Sequence, residues 1–208
     1  MTWTGDGKQR VSMHVDGLAD PLLADYVSVP VLLSRCAELE RAGREDEAWE
    51  RLSAGLAEHV CKRDPGSLPP LLRAATSLLA SRIGKDGVAV GGSLAAEAAG
   101  LAKGEMTASI ASGVALLLYM GGAPDAALET FTFILESFRE GPIDRDICAA
   151  FAGRQNALFA LDRFDECVRA CDDAIAELSH ADAPEAEHVR QEAWAIRELA
   201  AAQLRGSG

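Results

Sequence analysis

Two pairs of side chains in this sequence have residue types and spacings that could perform chemistry. Cys167 and Cys171 lie four residues apart, which on a helix places both thiols on one face, where they could hold a metal ion. His59 and Cys61 could form a nucleophilic dyad, but residues two apart on a helix point to different faces. We therefore predict that Cys167 and Cys171 pack as small buried side chains, and that the chain has neither a metal site nor a catalytic residue.

A glycine-rich segment, residues 84–92, is a third candidate because the backbone amides of such segments can hold a phosphate group. A phosphate-binding loop would carry Lys-Ser or Lys-Thr after its glycines and would belong to a parallel sheet. The sequence shows neither pattern, so we predict that 84–92 is a loop joining two helices and that the protein uses no cofactor. The alternative from another functional class is a helical enzyme with a pocket near the 84–92 loop, at Lys85 and Asp86.

The elements that would position any site are indicated by one short phrase, which occurs three times between apolar helical stretches. It occupies residues 43–49, 122–128 and 162–168. The small residues near the ends of the phrases are Ala48, Ala127 and Cys167, which are 79 and 40 residues apart, so the first interval has room for one degenerate unit. A turn that recurs between amphipathic helices at a fixed period is the signature of a stacked helical array.

The helices on either side of the phrase also carry equivalent small or apolar positions. In the first helices these are Cys36 and Leu39, Ala115 and Leu118, and Gln155 and Leu158. In the second helices they are Leu52 and Gly55, Phe131 and Ile134, and Cys171 and Ala174. In these residues the chain resembles the tetratricopeptide repeat (TPR) family, whose units are helix–turn–helix pairs of about 34 residues. The resemblance implies an all-α fold, an α-solenoid of antiparallel helix pairs.

This pattern predicts the domain organisation. We expect an N-terminal segment over 1–20, a single TPR-like helical domain over 21–205 and a tail over 206–208. The repeat units cover about 29–62, 63–107 (degenerate), 108–141 and 148–181, followed by a capping helix over 184–204. Single helices are predicted near 21–28, 30–42, 45–62, 67–83, 93–103, 106–120, 124–139, 144–160, 164–179 and 184–204. We expect Trp194 of the capping helix to pack in the core, with a dimer contact as the alternative.

Composition and charge limit the partners. The chain is 49% apolar but only 5% aromatic, which favours closely packed helices over a sheet. Its net charge is −12, of which residues 105–208 contribute −10. A field of this sign repels phosphate backbones and anionic lipid, so we predict no nucleic-acid and no membrane partner, whereas a basic protein segment would be attracted. The alternative is that the acidic face only keeps the protein in solution.

The N-terminus and the cysteines bear on localisation. Residues 1–6 show no basic-then-apolar signal, and the longest apolar stretch, near residues 114–120, is too short to span a bilayer. Five scattered cysteines, an odd number, suit buried thiols in a reducing compartment. We predict a cytoplasmic protein.

The resemblance implies that the first helices of the pairs line a concave groove that binds the partner. The predicted partner-binding residues are Ser109, Ser112, Leu116 and Tyr119 from one helix, and Ala152, Asn156 and Phe159 from another. Some family members hold a C-terminal carboxylate with a lysine one turn before an asparagine. Asn156 matches that asparagine but Ala152 replaces the lysine, so we do not expect this ligand. Asn156 could instead belong to a hydrogen-bond network between helices.

Together these patterns predict a non-catalytic interaction module or adaptor, which binds a peptide segment or a partner protein in its groove. A peptide-sensing regulatory arm and a self-assembling scaffold, a homo-oligomer of this chain, are the alternatives within the binding class.

Overall fold

The computed structural model describes residues 28–101 and 105–206, and within these ranges it contains nine α-helices and no strand. The helices are α1 (Val29–Arg41), α2 (Glu45–Cys61), α3 (Leu68–Leu78), α4 (Ala80–Gly100), α5 (Ala108–Met120), α6 (Pro124–Ser137), α7 (Arg145–Ala160), α8 (Phe164–Glu177) and α9 (Pro184–Gly206). The all-α prediction is confirmed for this part of the chain. The predicted segment 1–20 and the helix near 21–28, apart from Ser28, lie outside the described residues.

The three repeated phrases form the same backbone turn. Each contains one residue with left-handed φ, and these are Gly43, Gly122 and Asp162, at 71°, 79° and 55°. In each, the next amide donates a hydrogen bond to the carbonyl five residues earlier. These bonds join Arg44 to Leu39, Ala123 to Leu118 and Arg163 to Leu158, at 2.9, 2.9 and 3.0 Å. This is the Schellman pattern, which satisfies the carbonyls left open where a helix ends.

The predicted small and apolar repeat positions are buried in all three units, from Cys36 and Leu52 in the first to Leu158 and Cys171 in the last. Burial of these side chains is what joins each helix pair to its neighbours, because an isolated pair would leave one apolar face in water. Positions that are equivalent in the sequence of the three units are therefore also equivalent in being buried.

Helices α5 to α9 form a regular stack. The first helices α5, α7 and α9 lie side by side, since α7 packs against both of the others. Helix α6 contacts α5 and α7, and α8 contacts α7 and α9, so each second helix bridges two first helices. Side-chain caps fix where α5 and α7 begin: Thr107 Oγ1 accepts from the Ile110 amide at 3.2 Å, and Asp144 Oδ1 accepts from the Ile147 amide at 3.0 Å.

Helices α1 to α4 depart from that order. Helices α3 and α4 pack on each other and α4 contacts α5, while α2 packs on α3 and also directly on α6. The end of α5 lies close to both α2 and α3 at Gly121. A Cβ there would lie 2.5 Å from Cζ2 of Trp49 in α2 and 2.8 Å from Cδ1 of Leu79 at the end of α3. Any side chain at this position would therefore push α2 and α3 away from the end of α5.

Residues 84–92 do not form the predicted loop. They belong to α4, which is interrupted only at Gly84, where φ is 64° and ψ is −174°. Further along, a Cβ on Gly91 would lie 2.2 Å from Oγ1 of Thr76, so glycine lets α4 approach α3 closely. The predicted helix over 67–83 begins within one residue of α3 but is interrupted at Leu79, and the predicted start of a helix at 93 is wrong, because residues 85–92 are already helical. The close contact at Gly91 offsets a helix propensity about 1 kcal/mol poorer than that of alanine. The alternative of an enzyme with a pocket near residues 84–92 stays a prediction, although these residues form a helix and not a loop.

Helix α9, the predicted capping helix, packs on the last helix pair, α7 and α8. Its buried stripe packs on α7 and α8 and consists of Ala186, Val189, Ala193, Ile196 and Ala200. Trp194, however, is 53% exposed, with its ring 5.7 Å from the Arg197 guanidinium carbon. The expectation that Trp194 packs in the core is wrong, because one residue beyond Ala193 is about 100° further around the helix.

Candidate interaction surfaces

The predicted groove residues of α5 face outward, with one exception. Ser109 is exposed and Leu116 is 49% exposed, while Tyr119 is half-buried. Ser112 is only 8% exposed, so the prediction that it lines the groove is wrong. The buried side chains of α5 are spread around most of its circumference, and the sequence pattern therefore could not separate a groove face from a core face.

The predicted residues of α7 lie on the side of the helix that turns away from α6. Ala152, Asn156 and Phe159 are all half-buried there. The Asn156 amide donates from Nδ2 to the Ala152 carbonyl at 3.0 Å and to Oε1 of Glu192 in α9 at 3.1 Å. Asn156 therefore belongs to a network between helices, the alternative that the sequence left open. Its Oδ1 has no partner among the described residues and remains able to accept a hydrogen bond from a ligand.

The two aromatic residues of the predicted groove are shared with the core. Tyr119 and Phe159 both pack against the apolar cluster between α7, α8 and α9. The Phe159 ring also meets Phe164 edge-on, with the centroids 5.4 Å apart and an interplanar angle of 69°. Their positions are therefore fixed before any partner binds, and only the outer part of each ring is free to contact one.

Two exposed apolar residues beside this groove were missed by sequence reasoning. Met120 is 53% exposed and lies one turn after Leu116, a spacing that could have identified it. Leu199 of α9 is 57% exposed and lies two turns after Glu192, the partner of Asn156. The sequence alone could not place Leu199 beside the predicted groove, because this position depends on the packing of α7 against α9. We call the surface formed by Leu116, Met120, Ala152, Phe159 and Leu199 the apolar face.

The cysteine pair of α8 packs in the core as predicted. Cys167 and Cys171 are both fully buried, and the Cys167 thiol donates to the Gln155 carbonyl at 3.5 Å. A hydrogen bond to Cys167, together with burial, raises the pKa of the Cys171 thiol, which therefore stays protonated. In residues 28–101 and 105–206, no group of three or more His, Cys, Asp and Glu side chains could hold a metal ion.

His59 and Cys61 have separate neighbours. His59 is buried, and its Nδ1 lies 3.2 Å from Oδ2 of Asp64 at the end of the same helix. Cys61 faces α6, where burial and the carboxylate of Glu129 raise the pKa of its thiol to about 12. A thiol with that pKa carries almost no thiolate at neutral pH, so this pair has the properties of structural residues and not of a nucleophile and its base.

Two adjoining cavities lie on the opposite side of α7 from the apolar face. Arg154 borders both, and a helical residue two positions from Asn156 points away from it. The first cavity has a volume of about 270 Å³, and its apolar floor consists of Leu135, Phe138, Ile143, Ile147 and Phe151. We call it the aromatic cavity. The second has a volume of about 570 Å³ and is bordered by four carboxylates, those of Asp125, Glu129, Glu136 and Glu166. We call it the acidic cavity.

Comparison with protein-family models, with curated proteins and with solved structures finds no match to this chain. Within the part of the chain that the structure describes, no helix combines the length and the apolar character needed to cross a membrane.

Proposed function

We propose that this protein is a non-catalytic interaction module, an adaptor whose apolar face binds a segment of a partner protein. The observation that supports the proposal is the half-exposure of Leu116 and Met120 on α5, at 49% and 53%, and of Leu199 on α9, at 57%, since both helices pack against α7. Single exposed apolar residues are common on proteins, but neighbouring ones across packed helices mark interaction sites. A TPR-like solenoid, in which these helices line the concave side, is part of the proposal.

The partner segment that best fits the apolar face is an amphipathic helix. Its apolar residues, spaced three and four apart, would cover Leu116 and Met120 and reach Leu199 across α7. Asn156 Oδ1 would accept a hydrogen bond from it, and Glu192 would favour a basic side chain at the α9 edge. Because most of the described cysteines are buried and all are free, we place this function in the reducing cytoplasm.

A display library of random helical peptides, selected on the immobilised protein, tests the proposal. We expect amphipathic sequences with basic residues on one edge to be enriched. Leu116→Arg combined with Met120→Arg should weaken the binding of a selected peptide at least tenfold, since it places two charges where apolar side chains must dock. Val31→Arg is the control for an exposed apolar residue elsewhere, because Val31 is also exposed, at 45%, and its helix α1 packs on α2 and α3.

Two results would count against a peptide-binding apolar face. One is equal loss of binding in the double variant and in Val31→Arg, with both variants shown to be folded by circular dichroism. The other is failure to enrich any sequence while the protein forms dimers that Leu116→Arg abolishes in sedimentation, which would favour the self-assembling scaffold.

A further inference from the structure

The aromatic and acidic cavities adjoin along α6, and we call them together with a third cavity the trough. Thr132, Glu136 and Arg154 line both of the first two, so these are immediate neighbours. The third, of about 550 Å³ between α2 and α6, adjoins the acidic cavity, with which it shares Asp125 and Glu129. The trough therefore follows α6 over most of its length, on the side of the molecule that the apolar face does not use.

One end of the trough is apolar and aromatic. Phe138 and Phe151 are half-buried and form part of the floor of the aromatic cavity. The guanidinium carbon of Arg63, which lines neither cavity, lies 5.9 Å from the Phe138 ring centroid and 5.8 Å from that of Phe133, which borders the acidic cavity. Two rings that border the trough therefore pack against a guanidinium group of the protein itself.

The charges along the trough are unbalanced. The aromatic and acidic cavities are bordered by six carboxylates and three guanidinium groups. Each arginine has a carboxylate partner: Arg139 pairs with Glu177, Arg154 lies 3.8 Å from Asp173, and Arg163 lies 2.7 Å from Glu166.

Glu129 and Glu136 take part in no ion pair of the described residues, and both face the trough. The third cavity is bordered by four carboxylates and by no basic residue.

The pKa of the Cys61 thiol is affected by the electrostatic potential of the carboxylates along the trough. The thiol lies in the acidic cavity, and the negative charges of Glu129 and Glu136 add to burial in raising its pKa to about 12. Negative charge disfavours a thiolate for the same reason that it favours a cationic ligand. The potential at this point of the trough is therefore one that attracts lysine and arginine side chains.

We propose that the trough binds a basic segment of a partner protein, with one apolar side chain in the aromatic cavity and basic side chains against Glu136 and Glu129. Glu129 and Glu136 lie seven residues apart, a separation of about 10 Å along the helix. An extended chain covers that distance in about three residues. The segment we expect is therefore extended, with an apolar anchor followed by two basic residues spaced about three apart.

This inference is independent of the proposed function, because the trough and the apolar face lie on opposite sides of α7. The probe is a fluorescein-labelled nonapeptide of Ser and Ala that carries one Leu, with Arg three and six positions after it. We expect fluorescence anisotropy to show binding that weakens steeply with salt. We further expect Glu129→Lys combined with Glu136→Lys to reduce affinity at least tenfold.

The matched control is Glu97→Lys combined with Glu105→Lys, which changes the net charge equally at exposed residues outside the trough. This control should reduce affinity less than threefold. A peptide with Ser in place of Leu should bind at least fivefold more weakly if the aromatic cavity holds the anchor.

Three outcomes would overturn the inference. They are absence of binding at low salt, equal loss in the trough and control variants, and equal affinity of the Leu and Ser peptides. Loss of probe binding in Leu116→Arg, with the trough variant unaffected, would place the peptide on the apolar face. That result would reject the trough site while leaving the proposed function standing.

Discussion

The two ends of this molecule are built from the same turn and yet pack differently. From α5 to α9 each helix packs on the helices next to it, whereas α2 packs on α3 and also on α6, from which α3, α4 and α5 separate it along the chain. The close-contact glycines of the two regions also face different side chains. Gly153 of α7 lies under the buried Phe131 ring, whereas Gly113 of α5 lies under the branched end of Leu94 in α4. A ring yields less than a branched aliphatic end, so the two contacts differ in how strongly they resist a larger side chain.

The largest expected effect comes from Gly153→Ala. The new Cβ would lie 2.2 to 2.5 Å from the Phe131 ring, which has no room to move, so we expect a net loss of about 2 kcal/mol in unfolding free energy. In Gly113→Ala the Leu94 methyl can rotate away, and the gain in helix propensity of about 1 kcal/mol should make that variant neutral or more stable. Urea unfolding of both variants measures the two changes in unfolding free energy. Equal changes would contradict the proposed difference between the two glycine contacts.

A smaller effect, of opposite sign, is expected for Gln155→Met. The first and third units carry Cys36 and Ala115 at this position, but the last carries Gln155, whose side-chain nitrogen and oxygen are buried with no partner among the described residues. Replacing the amide by an apolar chain of similar volume should raise stability by about 1 to 2 kcal/mol. Thermal unfolding measures this, with Gln155→Glu as the control that must destabilise. A lower melting temperature for Gln155→Met would indicate an unrecognised partner.

The smallest effect concerns the shared turn. Asp162 has the left-handed φ that Gly43 and Gly122 adopt without strain. Asp162→Gly should therefore stabilise the protein by about 1 kcal/mol, and Gly43→Asp should destabilise it by a similar amount. Denaturation midpoints of the two variants and of their combination test whether the turns are energetically equivalent. If both substitutions shift the unfolding free energy in the same direction, the shared backbone geometry does not make the turns energetically equivalent.

The sequence predicted most of the regular region because its signals are local. Pro124 and Pro184 mark helix starts, and the turn phrase marks helix ends, so α5 to α9 were placed to within about two residues. The same local signals failed at 84–92, where four glycines indicate a loop. Three of the four, all but Gly84, are nevertheless helical. Gly91 lies so close to Thr76 of α3 that a Cβ would not fit, a tertiary contact that no local pattern records.

The candidate surfaces were less predictable than the fold. The resemblance to the TPR family predicted that Leu116 and Phe159 line a groove, and these side chains are exposed and half-buried, respectively. Ser112 and Trp194, in contrast, were assigned to the wrong environments. Each lies near the border of the buried stripe of its helix. At such a border, a shift of one position along the sequence decides whether a side chain is buried or exposed. The aromatic and acidic cavities are lined by α6, α7 and α8, with Cys61 of α2 at the border of the acidic cavity. No single helix carries a pattern for them.

The contact of α2 with α6 bears on how the chain would respond to mechanical force. In a linear repeat array each unit touches only its neighbours, so pulling on the two ends peels units off one at a time. Here the packing of α2 on α6 closes the chain between them into a topological loop that includes α3 and α4. Under tension α1 to α6 would yield as one block in a single large extension, while α7 to α9 would unravel in shorter steps.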